Sequence, residues 1–226
     1  MQFEVNAHSA DKPAGRIRQQ NEKLIISAAE QEFSCHGFKG TSMQRVADRA
    51  GLPKANIHYY FSNKLGLYHA VLANIIDLWD STFNELSAED DPAIVLPRYI
   101  AAKIEFSRQY PLASRIFAME ILSGGPHLSA FFKQDYRSWF KQRAAVFEHW
   151  IDAGKMSPVD PAHLIFLLWG STQHYADFAV QIEAALGEES LGPEVYETAT
   201  RTLTDIILRG CGIRLENQDT EPCAIV

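Results

Sequence analysis

The stretch TSMQRVADRAGLPKANIHYYFSNKLGL, residues 41–67, contains two short helical patterns that meet at Gly51. The first pattern has apolar residues at the i, i+3, i+4 and i+7 spacing of one helix face. These residues are Met43, Val46, Ala47 and Ala50. Thr41 or Ser42 is suited to cap the start of this helix, and Gly51 can adopt the left-handed conformation that ends it. Two helices joined by a short glycine-containing turn predict a helix-turn-helix, whose second helix enters the major groove of DNA.

The second helical pattern, residues 54–61, is more polar and aromatic than a helix buried in a core. Pro53 suits its first turn, and the spacing predicts that Ile57 and Phe61 are buried while other side chains face outward. The candidates to reach the edges of DNA bases are therefore Lys54, Asn56 and His58.

Phosphate contacts are expected to fix the position of these helices on DNA. Thr41 precedes a helix whose N-terminal N–H groups favour an anion, and Lys64 opens the next helix as a point charge. Tyr59 and Tyr60 carry hydroxyl groups on rigid rings, although Tyr60 is equally suited to packing between helices. The complete predicted DNA-contacting set is Thr41, Ser42, Lys54, Ala55, Asn56, His58, Tyr59, Tyr60 and Lys64.

The charge distribution supports a DNA-binding head, although the whole chain has a formal net charge of -7. Residues 12–64 contain nine Lys and Arg against four Asp and Glu, whereas residues 65–226 contain twelve against twenty-two. A basic head on an acidic body is expected when only one part of a protein touches phosphate. The alternative, a merely solvated helix face, concerns Arg16, Arg18, Arg45 and Arg49. Their position beside the helix-turn-helix pattern makes that alternative the weaker one.

The rest of the chain is also predicted to be helical, because no run shows the period-2 alternation of a strand. An all-α fold of nine helices follows, with a long helix from Arg16 to about Gly37, the two helices above and one starting at Lys64. The other five are predicted over residues 93–109, 112–122, 127–153, 161–186 and 193–211. We predict four segments: a flexible arm (1–15), a helix-turn-helix domain (16–63), a ligand-binding and dimerisation domain (64–212) and a flexible tail (213–226).

The predicted helix over residues 161–186 combines an entirely apolar run with a stripe of polar side chains. Trp169, Gln173 and Asp177 follow each other at i, i+4 and i+8. An indole wall beside an amide and a carboxylate suits a flat heterocycle that donates and accepts hydrogen bonds, such as a pyrimidine. Further walls of this site are predicted at Trp79, Met119 and Glu120.

Several other classes of protein are disfavoured by the sequence. The nucleophile, dinucleotide, phosphate-loop and zinc-protease motifs are absent, so we do not expect an enzyme. No apolar run approaches the length of a membrane span, and the N-terminus lacks the core of a signal peptide. Three cysteines without a recognisable framework suit a reducing compartment, so we expect a cytoplasmic protein without membrane attachment.

These patterns together resemble the TetR family of one-component regulators. The residues that carry the resemblance are Phe33, Gly37, Thr41, Val46, Ala47, Ala50, Gly51, Ile57, Phe61 and Lys64. The chain departs from the usual pattern at Leu65, where Glu is common, and at His58, where Tyr is common. The segments that resemble the pyrimidine-utilisation regulators of this family are residues 107–115, 119–120, 158–166 and 169–178.

The resemblance implies a homodimer, formed through the last two helices, that binds a near-palindromic operator in double-stranded DNA. It also implies uracil or thymine as the small-molecule effector and repression as the mode of regulation. The same scaffold could instead bind a hydrophobic effector and control efflux or lipid metabolism, which the many aromatic residues would fit. The polar stripe favours the heterocycle, because buried polar groups need hydrogen-bond partners.

Two alternatives stay open for the polar stripe. Its residues could pair across the twofold axis of the dimer that the resemblance implies, or Gln173 and Asp177 could hydrogen-bond each other. His174 and Asp177 could suggest a metal, but the scattered histidines provide no third ligand. We therefore expect no metal and no cofactor.

Overall fold

The computed structural model describes residues 13–133 and 136–213, and the regular elements of these residues are all α-helices. In chain order they are α1 (Pro13–Gly40), α2 (Met43–Ala50), α3 (Lys54–Tyr60), α4 (Lys64–Asn84), α5 (Pro92–Gln109), α6 (Pro111–Leu122), α7 (Ser129–Lys133), α8 (Tyr136–Asp152), α9 (Pro161–Asp177), α10 (Ala179–Leu186) and α11 (Pro193–Gly210). The all-α prediction is confirmed. Most of the predicted arm and tail, residues 1–12 and 214–226, lies outside the described residues.

The described residues form eleven helices where the sequence predicted nine. The predicted helix over 161–186 is divided at Phe178, whose φ of -121° and ψ of 28° are not helical. The predicted helix over 127–153 is described as α7 and α8, on either side of residues 134–135, which the structure does not describe. Helix α1 is interrupted by the left-handed φ of 64° at Gly37, where the sequence predicted its end.

The turn between α2 and α3 follows from the local chemistry of its residues. Ser42 caps α2, because its Oγ accepts a hydrogen bond from the backbone N–H of Arg45 at 3.2 Å. At the other end, Gly51 adopts φ 65° and ψ 28°, and the N–H of Leu52 donates to the carbonyl oxygen of Ala47 at 3.1 Å. The structure therefore has the pair of short helices that residues 41–67 predicted.

The chain packs as two compact units, each with its own hydrophobic core. The first unit contains the described residues 13–81, 109–133 and 136–138, and the second contains 82–108 and 139–213. Fully buried side chains of the first core include Phe33, Val46, Ile57 and Leu67. Those of the second include Leu96, Ile100, Trp150, Ile165 and Leu168. The predicted domain boundary at residues 63–64 stays a prediction.

In the second unit, two side-chain hydrogen bonds hold α5 against α9. Ser107 Oγ donates to the carbonyl oxygen of Thr172 at 2.8 Å, and Trp169 Nε1 donates to the hydroxyl of Tyr99 at 3.1 Å. Ser107 and Thr172 are both buried. These bonds hold the face of α9 that carries Trp169 against α5. Among the described helices, none is both long and apolar enough to cross a lipid bilayer.

Candidate nucleic-acid interface and effector site

Helix α3 buries one side chain and exposes most of the others. Ile57 is completely buried in the core of the first unit, as its spacing predicted. The exposed residues of the helix are Lys54, Ala55, Asn56, His58 and Tyr59. A short helix that is anchored at one point and directs polar and aromatic groups outward can reach base edges in a major groove.

The two tyrosines of α3 differ in their surroundings. Tyr59 is 73% exposed, whereas Tyr60 is half-buried against the core of the first unit. The hydroxyl of Tyr60 accepts a hydrogen bond from Asn21 Nδ2 at 3.3 Å, so this residue ties α3 to α1. A DNA contact of either ring stays a prediction.

Thr41 and Ser42, which precede α2, differ in their exposure. Ser42 is exposed, but Thr41 is buried, and its Oγ1 lies 3.0 Å from the carbonyl oxygen of Glu32 and 2.9 Å from that of Gly37. The backbone N–H of Thr41 also donates to Gly37, at 3.3 Å. Both donors of Thr41 therefore serve the junction of α1 and α2, while Ser42 faces solvent. Their phosphate contacts stay predictions.

Lys64, the first residue of α4, fastens the same junction. Its Nζ donates to the carbonyl oxygens of Phe38 at 2.7 Å, Thr41 at 2.9 Å and Lys39 at 3.4 Å. The ammonium group also lies 4.6 Å from the centre of the Phe38 ring. Because an ammonium group has three N–H donors, these carbonyl groups occupy all of them. Lys64 thus has a structural role beside its predicted contact with phosphate.

Replacement of Lys64 by alanine is expected to lower the free energy of unfolding by about 1.5–3 kcal/mol, because backbone carbonyl groups lose a charged donor. Urea denaturation followed by circular dichroism measures this loss. The matched control is Lys54→Ala, which removes an exposed cation from α3 and should leave the stability nearly unchanged.

The same two variants distinguish the structural role of Lys64 from its predicted contact with phosphate. If its ammonium also contacts phosphate, the slope of DNA affinity against salt should fall by about one unit in Lys64→Ala. A Lys64→Ala variant as stable as the wild type would contradict the structural role, and an unchanged salt slope would contradict the phosphate contact.

An ion pair between a buried carboxylate and a partly exposed arginine joins α1 to α2, and the sequence patterns did not reveal it. Glu32 is 5% exposed, and its Oε1 accepts a hydrogen bond from Arg49 Nε at 2.6 Å. His36 Nε2 and Arg45 Nη1 lie 3.7 Å and 4.0 Å from the other oxygen of Glu32. Arg49 therefore helps to position α2 on α1, and the side chains of both Arg45 and Arg49 are partly exposed on this helix.

Three of the predicted effector-binding residues lie on one face of α9 in the second unit. Trp169, Gln173 and Asp177 are all half-buried. The ring centres of Phe83, Trp139, Phe140 and Phe166 lie between 5.8 and 6.3 Å from that of Trp169. The alternative hydrogen bond between Gln173 and Asp177 stays a prediction.

Helix α5 adds a buried cation that the sequence analysis missed. Lys103 is 3% exposed and lies one helical turn from both Tyr99 and Ser107, the two residues that hydrogen-bond to α9. Lys103 therefore belongs to the face of α5 that packs on α9. Its burial could have been predicted from its helical spacing, because Lys103 lies on the same face of α5 as a series of buried apolar residues. This series consists of Leu96, Tyr99, Ile100 and Ile104.

The other three predicted effector-binding residues lie in the first unit. Trp79 packs edge to face on Phe117, with the ring centres 4.6 Å apart. Met119 is half-buried on α6, and Glu120 beside it is 4% exposed. Effector contacts of all three stay predictions.

Glu120 is the acceptor of a buried hydrogen-bond cluster. It accepts from the hydroxyl of Tyr68 at 3.2 Å, from the backbone N–H of His127 at 2.7 Å, and contacts His127 Nδ1 at 3.0 Å. Burial and the Glu120 carboxylate raise the pKa of Tyr68, so its hydroxyl stays protonated and donates at neutral pH. These contacts join α4 and α6 to the segment that follows α6.

The sequence matches two family models that together span most of the chain. Residues 25–71 match the bacterial regulatory proteins of the TetR family, and residues 72–214 match the C-terminal region of YcdC-like proteins. The chain is 40% identical over 188 residues to the HTH-type transcriptional regulator RutR of Escherichia coli strain K12, covering 83% of this chain and 89% of that protein.

Solved structures of transcription regulators share the fold. The transcriptional regulator SCO4942 of Streptomyces coelicolor matches with a TM-score of 0.66 and 21% identity, over 84% of this chain and 97% of that chain. The TetR family regulator PfmR of Thermus thermophilus matches with a TM-score of 0.63 and 21% identity, over 82% and 97% of the two chains.

Proposed function

Because the chain belongs to the TetR family of bacterial DNA-binding transcription regulators, which are not enzymes, we propose that it represses genes of pyrimidine utilisation. In this proposal, uracil or thymine binds the body of the protein and releases a homodimer from a near-palindromic operator. The protein acts in the cytoplasm, where both DNA and the effector are present.

The DNA-binding step rests on the exposed face of α3. Lys54 can donate to guanine, Asn56 can bond adenine with its amide, and His58 can donate or accept at a base edge. Ser42, Tyr59 and the basic surface of α2 supply phosphate contacts. In a dimer the two recognition helices enter successive major grooves, about 34–36 Å apart.

The dimerisation step rests on the apolar side chains that α9, the segment after it and α11 leave exposed in one chain. Side chains between 51% and 59% exposed include Phe166 and Leu167 of α9, Phe178 directly after α9 and Ile206 of α11. Exposed apolar surface of this kind is typical of an interface between proteins. It fits the dimer that the family resemblance implies, which is formed through the predicted helices over residues 161–186 and 193–211.

The effector step rests on one observation: half-buried Gln173 lies one turn from Trp169 on α9, the helix that hydrogen-bonds to the two α5 residues one turn on either side of buried Lys103. Uracil is flat and carries both N–H donors and carbonyl acceptors along its rim. The Gln173 amide can accept from an N–H and donate to a carbonyl, Lys103 can donate to a carbonyl, and Trp169 can stack on the ring. Asp177 can accept from the remaining N–H group.

A second candidate effector is a hydrophobic molecule, in a regulator of efflux or lipid metabolism. The observation in its favour is the ring of aromatic side chains around Trp169. The polar groups nearby favour uracil, because an apolar ligand offers no hydrogen-bond partner to the half-buried amide of Gln173.

The test begins by selecting DNA duplexes of about 30 base pairs, long enough for two half-sites, from a random pool. The selected duplexes should be near-palindromic and should bind with an affinity that falls steeply with salt, because phosphate neutralisation releases counterions. Uracil should then release the protein. The matched control ligand is 1,3-dimethyluracil, which keeps the ring and the carbonyl groups but has no N–H donor.

Each outcome of this experiment tests a different part of the proposal. Selection of no common sequence would contradict the operator. Release by a fatty acid but not by uracil would favour the hydrophobic effector. Equal release by uracil and by its dimethyl derivative would contradict the hydrogen-bonding role of Gln173 and Asp177.

A further inference from the structure

Two side chains of α8, Trp139 and Arg143, hydrogen-bond to the C-terminal end of α4. Arg143 Nη1 lies 3.5 Å, 3.2 Å and 3.3 Å from the carbonyl oxygens of Phe83, Asn84 and Leu86. The last carbonyl groups of a helix have no partner within the helix, and a cation is favourable at that end. One turn earlier on α8, Trp139 Nε1 donates to the side-chain oxygen of Asn84, the last residue of α4, at 2.9 Å.

The same Trp139 also packs against Trp169, the proposed effector contact on α9. Its ring is nearly parallel to that of Trp169, at 18°, with the centres 6.3 Å apart. Phe83 of α4 completes a triangle, with its centre 6.0 Å from Trp139 and 5.8 Å from Trp169. One indole therefore touches the predicted effector residue with its face and the end of α4 with its N–H group.

We propose that Trp139 is a positioning residue that couples the effector state of Trp169 to the C-terminal end of α4. This inference rests on the proposed function, because it takes Trp169 as an effector contact. An indole is a rigid plane with two side-chain torsions, so a shift of Trp169 that tilts Trp139 also moves its N–H group away from Asn84. Helix α4 starts at Lys64 and ends at Asn84. A displacement of its C-terminal end can therefore be transmitted along one helix towards the helix-turn-helix formed by α2 and α3.

The energetic requirement of this coupling is modest. An effector changes DNA affinity only through contacts that differ between the two states, and such coupling commonly amounts to about 5–150-fold. A hydrogen bond formed in only one of two states contributes about 2–10-fold to their ratio. The bond from Trp139 to Asn84 can therefore carry a measurable share of the effect of uracil without carrying all of it.

The alternative is that Trp139 only fills space beside Phe83 and Trp169. Trp139→Phe separates these roles, because phenylalanine keeps an aromatic ring in the triangle but has no N–H donor. Asn84→Ala removes the acceptor from the other side, and Asn84 is exposed, so this variant does not disturb the core. The matched control is Gln142→Ala, an exposed position on the same helix.

The experiment measures two quantities for each full-length variant: the uracil Kd by calorimetry, and the ratio of operator Kd with and without saturating uracil. In Asn84→Ala the uracil Kd should stay within about threefold of the wild type, while the operator ratio falls by about three- to tenfold. Trp139→Phe should give the same fall in the operator ratio, and the double variant should give no further fall, because both changes remove one bond. Gln142→Ala should leave both quantities unchanged.

Three different results would overturn the inference. If the wild type binds uracil and the variants keep its full operator ratio, Trp139 only packs, and the proposed function survives. If the wild type binds no uracil while it still binds its operator, the proposed effector fails and this coupling fails with it. A fall in both single variants that adds in the double variant would also contradict a shared hydrogen bond.

Discussion

Replacement of Gln173 by alanine is expected to weaken the binding of uracil by about 100-fold, which corresponds to ~2.7 kcal/mol. The amide is half-buried on α9, one turn from Trp169, and it can meet both a donor and an acceptor of the pyrimidine. Alanine removes both bonds and leaves two polar groups of the ligand unpaired, each of which costs about 1–3 kcal/mol. Calorimetric titration of the purified protein with uracil measures the change.

The control for this prediction is His174→Ala, which alters the next, exposed residue of α9. This variant should bind uracil as the wild type does, and both variants should bind the selected operator with unchanged affinity in the absence of effector. An unchanged uracil Kd in Gln173→Ala would remove this residue from the site. No heat from uracil with the wild type, together with intact operator binding, would make the hydrophobic effector the leading candidate.

The second large effect is expected at Glu120. Its replacement by leucine should lower the free energy of unfolding by about 3–5 kcal/mol, the usual cost of removing one partner from a buried charged cluster. The hydroxyl of Tyr68 and the backbone N–H of His127 lose their acceptor in this variant, and His127 Nδ1 loses its contact with the carboxylate. Urea denaturation, monitored by circular dichroism, gives the difference as a shift of the midpoint at constant slope.

Glu120→Gln is the matched variant, because it keeps a carbonyl oxygen in nearly the same place. It should retain most of the stability that Glu120→Leu loses, since a neutral acceptor still meets the Tyr68 hydroxyl. The two variants also test the effector role that the sequence predicted for Glu120. A stable Glu120→Gln variant with a strongly weakened uracil Kd would support that role, whereas an unchanged Kd would leave Glu120 with a structural role alone.

Local patterns were enough for the helix-turn-helix. The cap at Ser42, the left-handed turn at Gly51 and the buried Ile57 each depend on residues within a few positions along the chain. For this reason, composition and spacing predicted them, together with the exposed polar face of α3. The division of the predicted helix over 161–186 at Phe178 was missed, because no proline or glycine marks that position.

The polar contacts of buried residues could not be predicted in the same way. Periodicity indicates which face of a helix is buried, but it does not indicate which polar group of another helix that face will meet. Lys103 illustrates this limit, because its position in the apolar series of α5 can be identified in the sequence, whereas the groups that surround it depend on how two distant helices, α5 and α9, pack.

The sequence by itself determined an all-α protein, with a basic helix-turn-helix pair and a body whose α9 carries an aromatic and polar stripe. These features are local, since they are set by caps, breakers and the helical repeat. Only the tertiary structure decided that the Lys64 ammonium donates to the end of α1 and that the Glu120 carboxylate is shared by Tyr68 and His127. Such contacts join residues far apart along the chain, and the packing of helices, rather than their individual sequences, selects the partner of each buried charge.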